Sequence, residues 1–160
     1  MEFRKARKEE LTGIFTLYRS VAGRNFSVWD DDYPGWPEIH EDYENGTLYV
    51  MTEGNTIVGA ISIVVNNELD ALPYWKCKNA REIARVAVAP GQQGKGIGAA
   101  MVQQIAALLR GNGTAAIHLL AAEANLPAQA VYRKCGFQFL GKTFMFGHDN
   151  LGCELILENL

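Results

Sequence analysis

The chain has 160 residues, 48% of them hydrophobic and 21% charged, with a formal net charge of −3. That length suits one domain over residues 1–160, in which folding buries roughly 70% of the unfolded chain's surface. The acidic balance argues against a broad nucleic-acid surface, which needs a basic face. No apolar run reaches the roughly 18 residues that a membrane helix needs.

Phe3–Ala6 reads as a short first strand. Leu11, Ile14, Phe15, Tyr18 and Val21 then share one helical face. No good N-cap residue precedes that helix, and Glu9 and Glu10 favour its positive end instead. Residues 23–37 read as a loop rich in Trp, Tyr and Asp, punctuated by Gly23, Pro34, Gly35 and Pro37. Pro37–Asn45 is predicted as a second helix, closed by Asn45-Gly46. Thr47–Thr52 and Thr56–Val65 are strands around Glu53-Gly54-Asn55, a hairpin signal. Residues 66–79 read as a polar and aromatic loop.

Ala84, Val86 and Val88, with Ile83 and Ala87 between them, form the apolar run of a buried strand over 81–89. Pro90 stops it, having no N–H for the ladder. Gly94, Gly96 and Gly98 follow, and a helix is predicted over Ile97–Arg110, ended by Gly111-Asn112-Gly113. Ala115–Ala122 reads as a buried strand. A strand, a crossover helix and a strand imply parallel pairing with a right-handed connection. Asn125-Leu126-Pro127 opens another helix, which ends at Cys135-Gly136. Phe137–Phe146 and Cys153–Glu158 are predicted as the last two strands, joined by a loop over 147–152.

The strand–glycine–helix corner at Val86–Gly98 is the most chemically informative part of the chain. Glycines let backbone N–H groups approach a ligand, since no Cβ intervenes. The first N–H groups of a helix lack partners and sit at its positive end. Such a corner suits a phosphate or pyrophosphate. Gly94-Lys95-Gly96-Ile97-Gly98-Ala99 also satisfies the loose dinucleotide fingerprint, with Glu123 a little beyond its acidic position. That alternative needs several βαβ units, and the pattern offers one.

Gln93-Gly94-Lys95-Gly96-Ile97-Gly98 resembles the acyl-CoA-binding signature of the GNAT superfamily of N-acetyltransferases, and the Val-Ala-Pro strand end before it is also typical. The order β-α-α-β-β-β-α-β-α-β-β matches that family over roughly residues 1–158. The resemblance implies an α/β (α+β) fold, with a mixed central sheet of about six to seven strands flanked by about four helices. It implies acetyl-CoA as co-substrate, with Gln93, Gly94, Lys95, Gly96, Ile97 and Gly98 at its pyrophosphate. The backbone of Val86, Ala87 and Val88 would lie beside the pantetheine arm, whose two amides can pair like an added strand. A strand N–H there could also polarise the thioester carbonyl.

Asn125–Phe137, with Ala130, Tyr132 and Gly136, resembles the family's segment in which an Asn contacts pantetheine and a Tyr protonates the leaving thiolate. A phenol near pKa 10 suits that role. Asn125 would equally serve as a helix N-cap, and Tyr132 as a core aromatic. Glu82 sits at the spacing where some members carry a general base, and either Glu82 or a water would take the amine proton; the bland alternative is a solvated glutamate paired with Arg81 or Arg85. Trp29, Asp31 and Tyr33, in the run from Trp29 to Trp36, lie where the family shapes its acceptor site. Glu68, Asp70, Tyr74 and Trp75 could face them, and acid with aromatic groups suits a cationic amine.

His40, His118 and His148 show no metal or triad spacing, and His118 reads as structural. Cys77, Cys135 and Cys153 form no Cys-x-x-Cys pair and fit free thiols in a reducing cytosol. Cys135, at a helix end, reads as packed rather than as a covalent nucleophile. The first ten residues lack the apolar core of a secretory signal, so the expected location is cytoplasmic. The expected activity is acetyl transfer by direct attack of a primary amine, on a small molecule or a protein, without a metal, nucleic acid or membrane. Similar proteins are often dimers, so a homodimer is compatible. The alternative is a non-catalytic acyl-CoA sensor or scaffold.

Overall fold

In a computed structural model, which describes residues 1–24 and 26–159, seven strands form one sheet in the order β1-β2-β3-β4-β5-β7-β6. They are β1 (Glu2–Lys5), β2 (Leu48–Glu53), β3 (Thr56–Val64), β4 (Ala80–Val88), β5 (Ala116–Ala122), β6 (Gln138–Met145) and β7 (His148–Ile156). Every neighbouring pair is antiparallel except β4 and β5. The helices are α1 (Leu11–Val21), α2 (Trp36–Glu44), α3 (Ile97–Gly111) and α4 (Leu126–Lys134).

Two apolar layers cover the sheet. On one face Leu11, Ile14, Leu17 and Tyr18 of α1 and Ile39 of α2 pack against Leu48, Val50, Ala60 and Ala87. On the other, Ile97, Met101, Ile105 and Leu109, one helical turn apart on α3, pack against Tyr49, Met51, Ile83 and Ile117. Strand β2 divides its residues between the two layers by the pleat, with Leu48 and Val50 on one side and Tyr49 and Met51 on the other. Entry to α1 is arranged by Glu10, which ends a short 3₁₀ turn. Its carboxylate accepts the Arg7 N–H at 2.8 Å and both Arg4 Nη groups at 2.7 and 2.8 Å.

The last hairpin departs from expectation. The strands meet at a two-residue turn, Phe146-Gly147, and β7 begins at His148 rather than Cys153. Both turn residues have positive φ, 57° and 83°, the geometry that matches the twist of paired strands. Asp149, Asn150 and Gly152 look like loop formers but have other work. The buried Asn150 amide donates to the carbonyls of Met145 and His148 and so closes the hairpin from inside. Gly152 and its register partner Gly141 make room for the Tyr74 ring, into which a Cβ at either position would run.

The segment between β3 and β4 is tied down rather than loose. The Tyr74 hydroxyl shares a 2.6 Å hydrogen bond with Thr143 Oγ1. Trp75 donates Nε1–H to the Leu69 carbonyl and stacks on His118, ring centroids 3.9 Å apart. The expectation that Tyr74 and Trp75 face the acceptor loop is therefore corrected: both rings are committed to the sheet.

Candidate active site

Strands β4 and β5 run side by side only at their beginnings. Their register covers Ala80 with Ala116, Arg81 with Ile117 and Glu82 with His118, and stops there. Strand β4 continues to Val88 and β5 to Ala122, so the sheet splits into a wedge. A cleft of about 880 Å³ occupies it, within the range of small-molecule and cofactor sites. One wall carries Ile83, Val86 and Val88, the other Leu119, Ala121 and Ala122, and α3 and α4 form the floor.

Strand β4 bends beside the wedge. Its register against β3 shifts between Ala60 and Ser62, so Arg85 and Val86 together oppose one residue. Arg85 has φ of 52°, the left-handed conformation of a bulge. The bulge puts its guanidinium onto Asp42 of α2, with Nε and Nη2 each 2.8 Å from a carboxylate oxygen. Ser62 donates to the same carboxylate at 2.7 Å, and Arg85 Nη1 donates to the Tyr33 hydroxyl at 3.1 Å. Arg85 is thus engaged by Asp42, and the alternative that it neutralises Glu82 as a direct partner is set aside. Asp42 and Arg85 stand far apart in the chain, and no motif foretold the pair.

Glu82 lines the cleft at the apex of the wedge. Burial pushes its carboxyl up to about 7; Arg85 opposes the rise, and Glu68 and Asp70 add to it. Tyr132 of α4 also lines the cleft, with its ring edge-on to Phe137. Burial pushes its phenol above the usual value, and Cys153 and Cys135 add to the shift. Asn125 caps α4, its Oδ1 accepting the Ala128 N–H at 3.2 Å, and it lines the cleft as well. Gln129 fastens that helix to the end of β5 through the Ala122 and Glu123 carbonyls.

The glycine corner forms the mouth. Gly94 and Gly96 have φ of 81° and 82°, where a side chain is strained, and Gly96 is the N-cap of α3. A Cβ at either would meet no atom within 4 Å, so the space above the corner is open. Gln93 donates its side-chain amide to the Val88 carbonyl at 3.2 Å, tying corner to strand. Gln93, Gly94, Gly96, Ile97 and Gly98 line the cleft; Lys95 instead reaches Gln92 Oε1 at 3.2 Å. The Ala87 side chain lies on the opposite face, among the residues packed under α1.

At the outer end, Trp29, Asp30, Tyr33 and Glu68 line the cleft, while Asp31 does not. Asp30 Oδ1 accepts the N–H groups of Asp32 and Tyr33 at 2.8 Å each, which shapes the loop. Cys135 is half-buried and Cys153 buried; burial raises both thiols, that of Cys153 to about 12, so neither is a poised thiolate. The dinucleotide alternative fails on topology: one parallel strand pair cannot make a doubly wound sheet. Glu123 forms an exposed ion pair with Lys142 at 2.9 Å. Among the described residues, no helix is long and apolar enough to cross a membrane.

The family model described as Acetyltransferase (GNAT) family matches residues 11–137. A streptothricin acetyltransferase from Streptomyces lavendulae is 35% identical over 71 residues, which is 44% of this chain and 38% of that protein. The chain therefore matches well under half of that relative's length. Among solved structures, yncA from Salmonella typhimurium, determined with its cofactor acetyl-CoA, superposes with a TM-score of 0.77 at 21% identity, covering 98% of this chain and 94% of that one. The paia N-acetyltransferase from Thermoplasma acidophilum, in complex with coenzyme A, gives 0.72 at 18% identity, covering 97% and 98%. At these identities the two structures speak to the fold.

Proposed function

The chain belongs to the acetyltransferase (GNAT) family, and on that footing we propose that it moves an acetyl group from acetyl-CoA to a primary amine by direct attack. The observation that carries this reading is the split between β4 and β5, with a glycine corner at its mouth and Glu82 at its apex. The thioester supplies an activated acyl group and a good leaving thiolate. The residues fit such a carrier. The open space above Gly94 and Gly96 faces the first-turn amides of α3, which suit a diphosphate. The edge of β4 beyond Glu82 has no β5 residue beside it and suits an extended amide-bearing arm.

Glu82 takes the amine proton. A carboxyl near 7 holds and releases a proton at neutral pH, as a base for this step must. The β4 backbone at Val86 and Val88 polarises the carbonyl. Tyr132 returns a proton to the thiolate; its buried phenol is protonated at neutral pH, as a donor must be. Trp29, Asp30, Tyr33 and Glu68 border the acceptor, which is a small amine or a protein amino group.

Two measurements test this reading. Acetyl-CoA at 100 times its Kd stabilises by about 2.7 kcal/mol, or roughly 5–10 °C at this chain length, while NAD leaves Tm unchanged. A shift with NAD alone overturns the proposed ligand. Transfer to a panel of putrescine, lysine and a lysine-bearing peptide then separates an enzyme from a non-catalytic acyl-CoA sensor, which would bind acetyl-CoA and acetylate none.

A further inference from the structure

Behind Glu82 lies a second, smaller cavity of about 190 Å³, between the end of β3, the 3₁₀ turn at Glu68–Ala71 and the beginnings of β4 and β5. Glu82 borders both this chamber and the cleft, so it forms part of the partition between them. His118 lines the chamber too and is the register partner of Glu82 on the neighbouring parallel strand. Paired residues on parallel strands project from the same face, so the two side chains stand side by side. Asp70, on the exposed turn, lines the chamber's outer side.

His118 is only 3% exposed, and its setting goes beyond filling space. Its Nε2 lies 2.8 Å from Glu154 Oε2, and Glu154 is 0% exposed. That carboxylate also accepts the backbone N–H groups of Lys76 and Cys77, each at 3.1 Å. A carboxylate already collecting donors takes Nε2–H from the ring, which leaves Nδ1 as the basic nitrogen. Trp75 stacks on the ring and fixes its plane. Such an imidazole can accept a proton at Nδ1 while the buried carboxylate stabilises the cation formed.

We infer that His118 is a proton relay that carries the amine's proton away from Glu82 through this chamber. The inference rests on the acyl-transfer reading, and His118 acts through Glu82 without touching either substrate. The amine nitrogen uses its electron pair to bond the acyl carbon and gives its proton to the Glu82 carboxylate. The chamber is polar and large enough for several waters. Through them Glu82 passes the proton to His118 Nδ1 and is a carboxylate again. The imidazolium, held by Glu154, releases it past Asp70 to solvent and becomes neutral.

The charges around the route agree with its direction. Glu68 and Asp70 favour a proton on Glu82, and Arg85 opposes it. Burial holds His118 below the usual imidazole value, so the resting ring is the neutral acceptor, while Glu154 and Asp70 favour the cation once formed. Arg81 also borders the chamber. Its charge bears on Tyr49 of the α3 face.

The test uses the full chain, acetyl-CoA and whichever of putrescine, lysine or a lysine-bearing peptide is acetylated fastest. H118A is expected to lose about tenfold or more in kcat, with little change in KM for acetyl-CoA, while the rise of kcat through neutral pH that belongs to Glu82 remains. Added imidazole should restore the rate. Pyrazole, which fills the same hole but is too weak a base to take up a proton at neutral pH, should not. Rescue by both compounds, or a wild-type rate in H118A, overturns the relay and leaves acyl transfer standing. No acetylation by the wild-type chain overturns acyl transfer and the relay with it. Should H118A fail to fold, D70N on the exposed turn decides. A several-fold fall in kcat at unchanged KM for acetyl-CoA upholds the route, and an unchanged kcat overturns it.

Discussion

At the scale of single residues, Glu82 and Tyr132 both carry raised proton affinities for the same first reason, burial, yet the tasks proposed for them are opposite. Glu82 must be ionised to take a proton, so kcat should climb with pH and level off above its value of about 7. In E82Q that limb should vanish and kcat fall on the order of 10²-fold; a persisting limb would assign it to another group. Tyr132→Phe keeps the ring against Phe137 and deletes only the hydroxyl. It should lower kcat on the order of 10²-fold with Kd for acetyl-CoA nearly unchanged. Unaltered turnover would remove Tyr132 from the chemistry. Arg85 is a different case, since its geometry serves placement. R85M would leave the buried Asp42 carboxylate without its bidentate partner, a change that costs about 3–5 kcal/mol, readable in urea unfolding.

At the scale of elements, the corner from Gly94 to Gly98 needs backbone shape more than side chains. G96V forces a β-branched residue to φ of 82° at the N-cap of α3. It should raise the Kd for acetyl-CoA at least tenfold by calorimetry, with a smaller change in stability. An equal Kd would mean that the corner does not touch the carrier. This corner and the α3 stripe were legible in the sequence because both are local: glycines at fixed spacing, then apolar residues at 97, 101 and 105. The start of β7 was not. Asn150 and Gly152 carry loop composition, and their reasons for being in a strand are an inward amide and the Tyr74 ring, both tertiary. The Asp42–Arg85 clasp, the Glu154–His118 pair and the chamber were hidden for the same reason. Each joins residues brought together only by strand order, and β7 inserts between β5 and β6 without any sequence mark.

At the scale of the whole molecule, the fold holds its proposed base at a thermodynamic cost that pH controls. Glu82 is mostly buried, and its value moves from 4.5 in a solvated chain to about 7 in the native state. Native chains therefore bind one more proton than unfolded chains between those values. The resulting stability is fully present below 4.5 and is lost as pH rises through 7. The difference corresponds to about 3 kcal/mol across that window. Glutamine in place of Glu82 has the shape of the carboxyl but no charge to desolvate, so it escapes the loss. E82Q should match the wild-type chain in Tm near pH 5 and exceed it by several degrees at pH 8, where the proposed base role needs the ionised form. Other groups whose affinities change on folding and that lie far from Glu82 are common to both chains and cancel in the comparison. A constant Tm difference from pH 5 to 8 would mean that Glu82 is solvated in the native state, and its place as the base at the apex of the wedge would fall with that result.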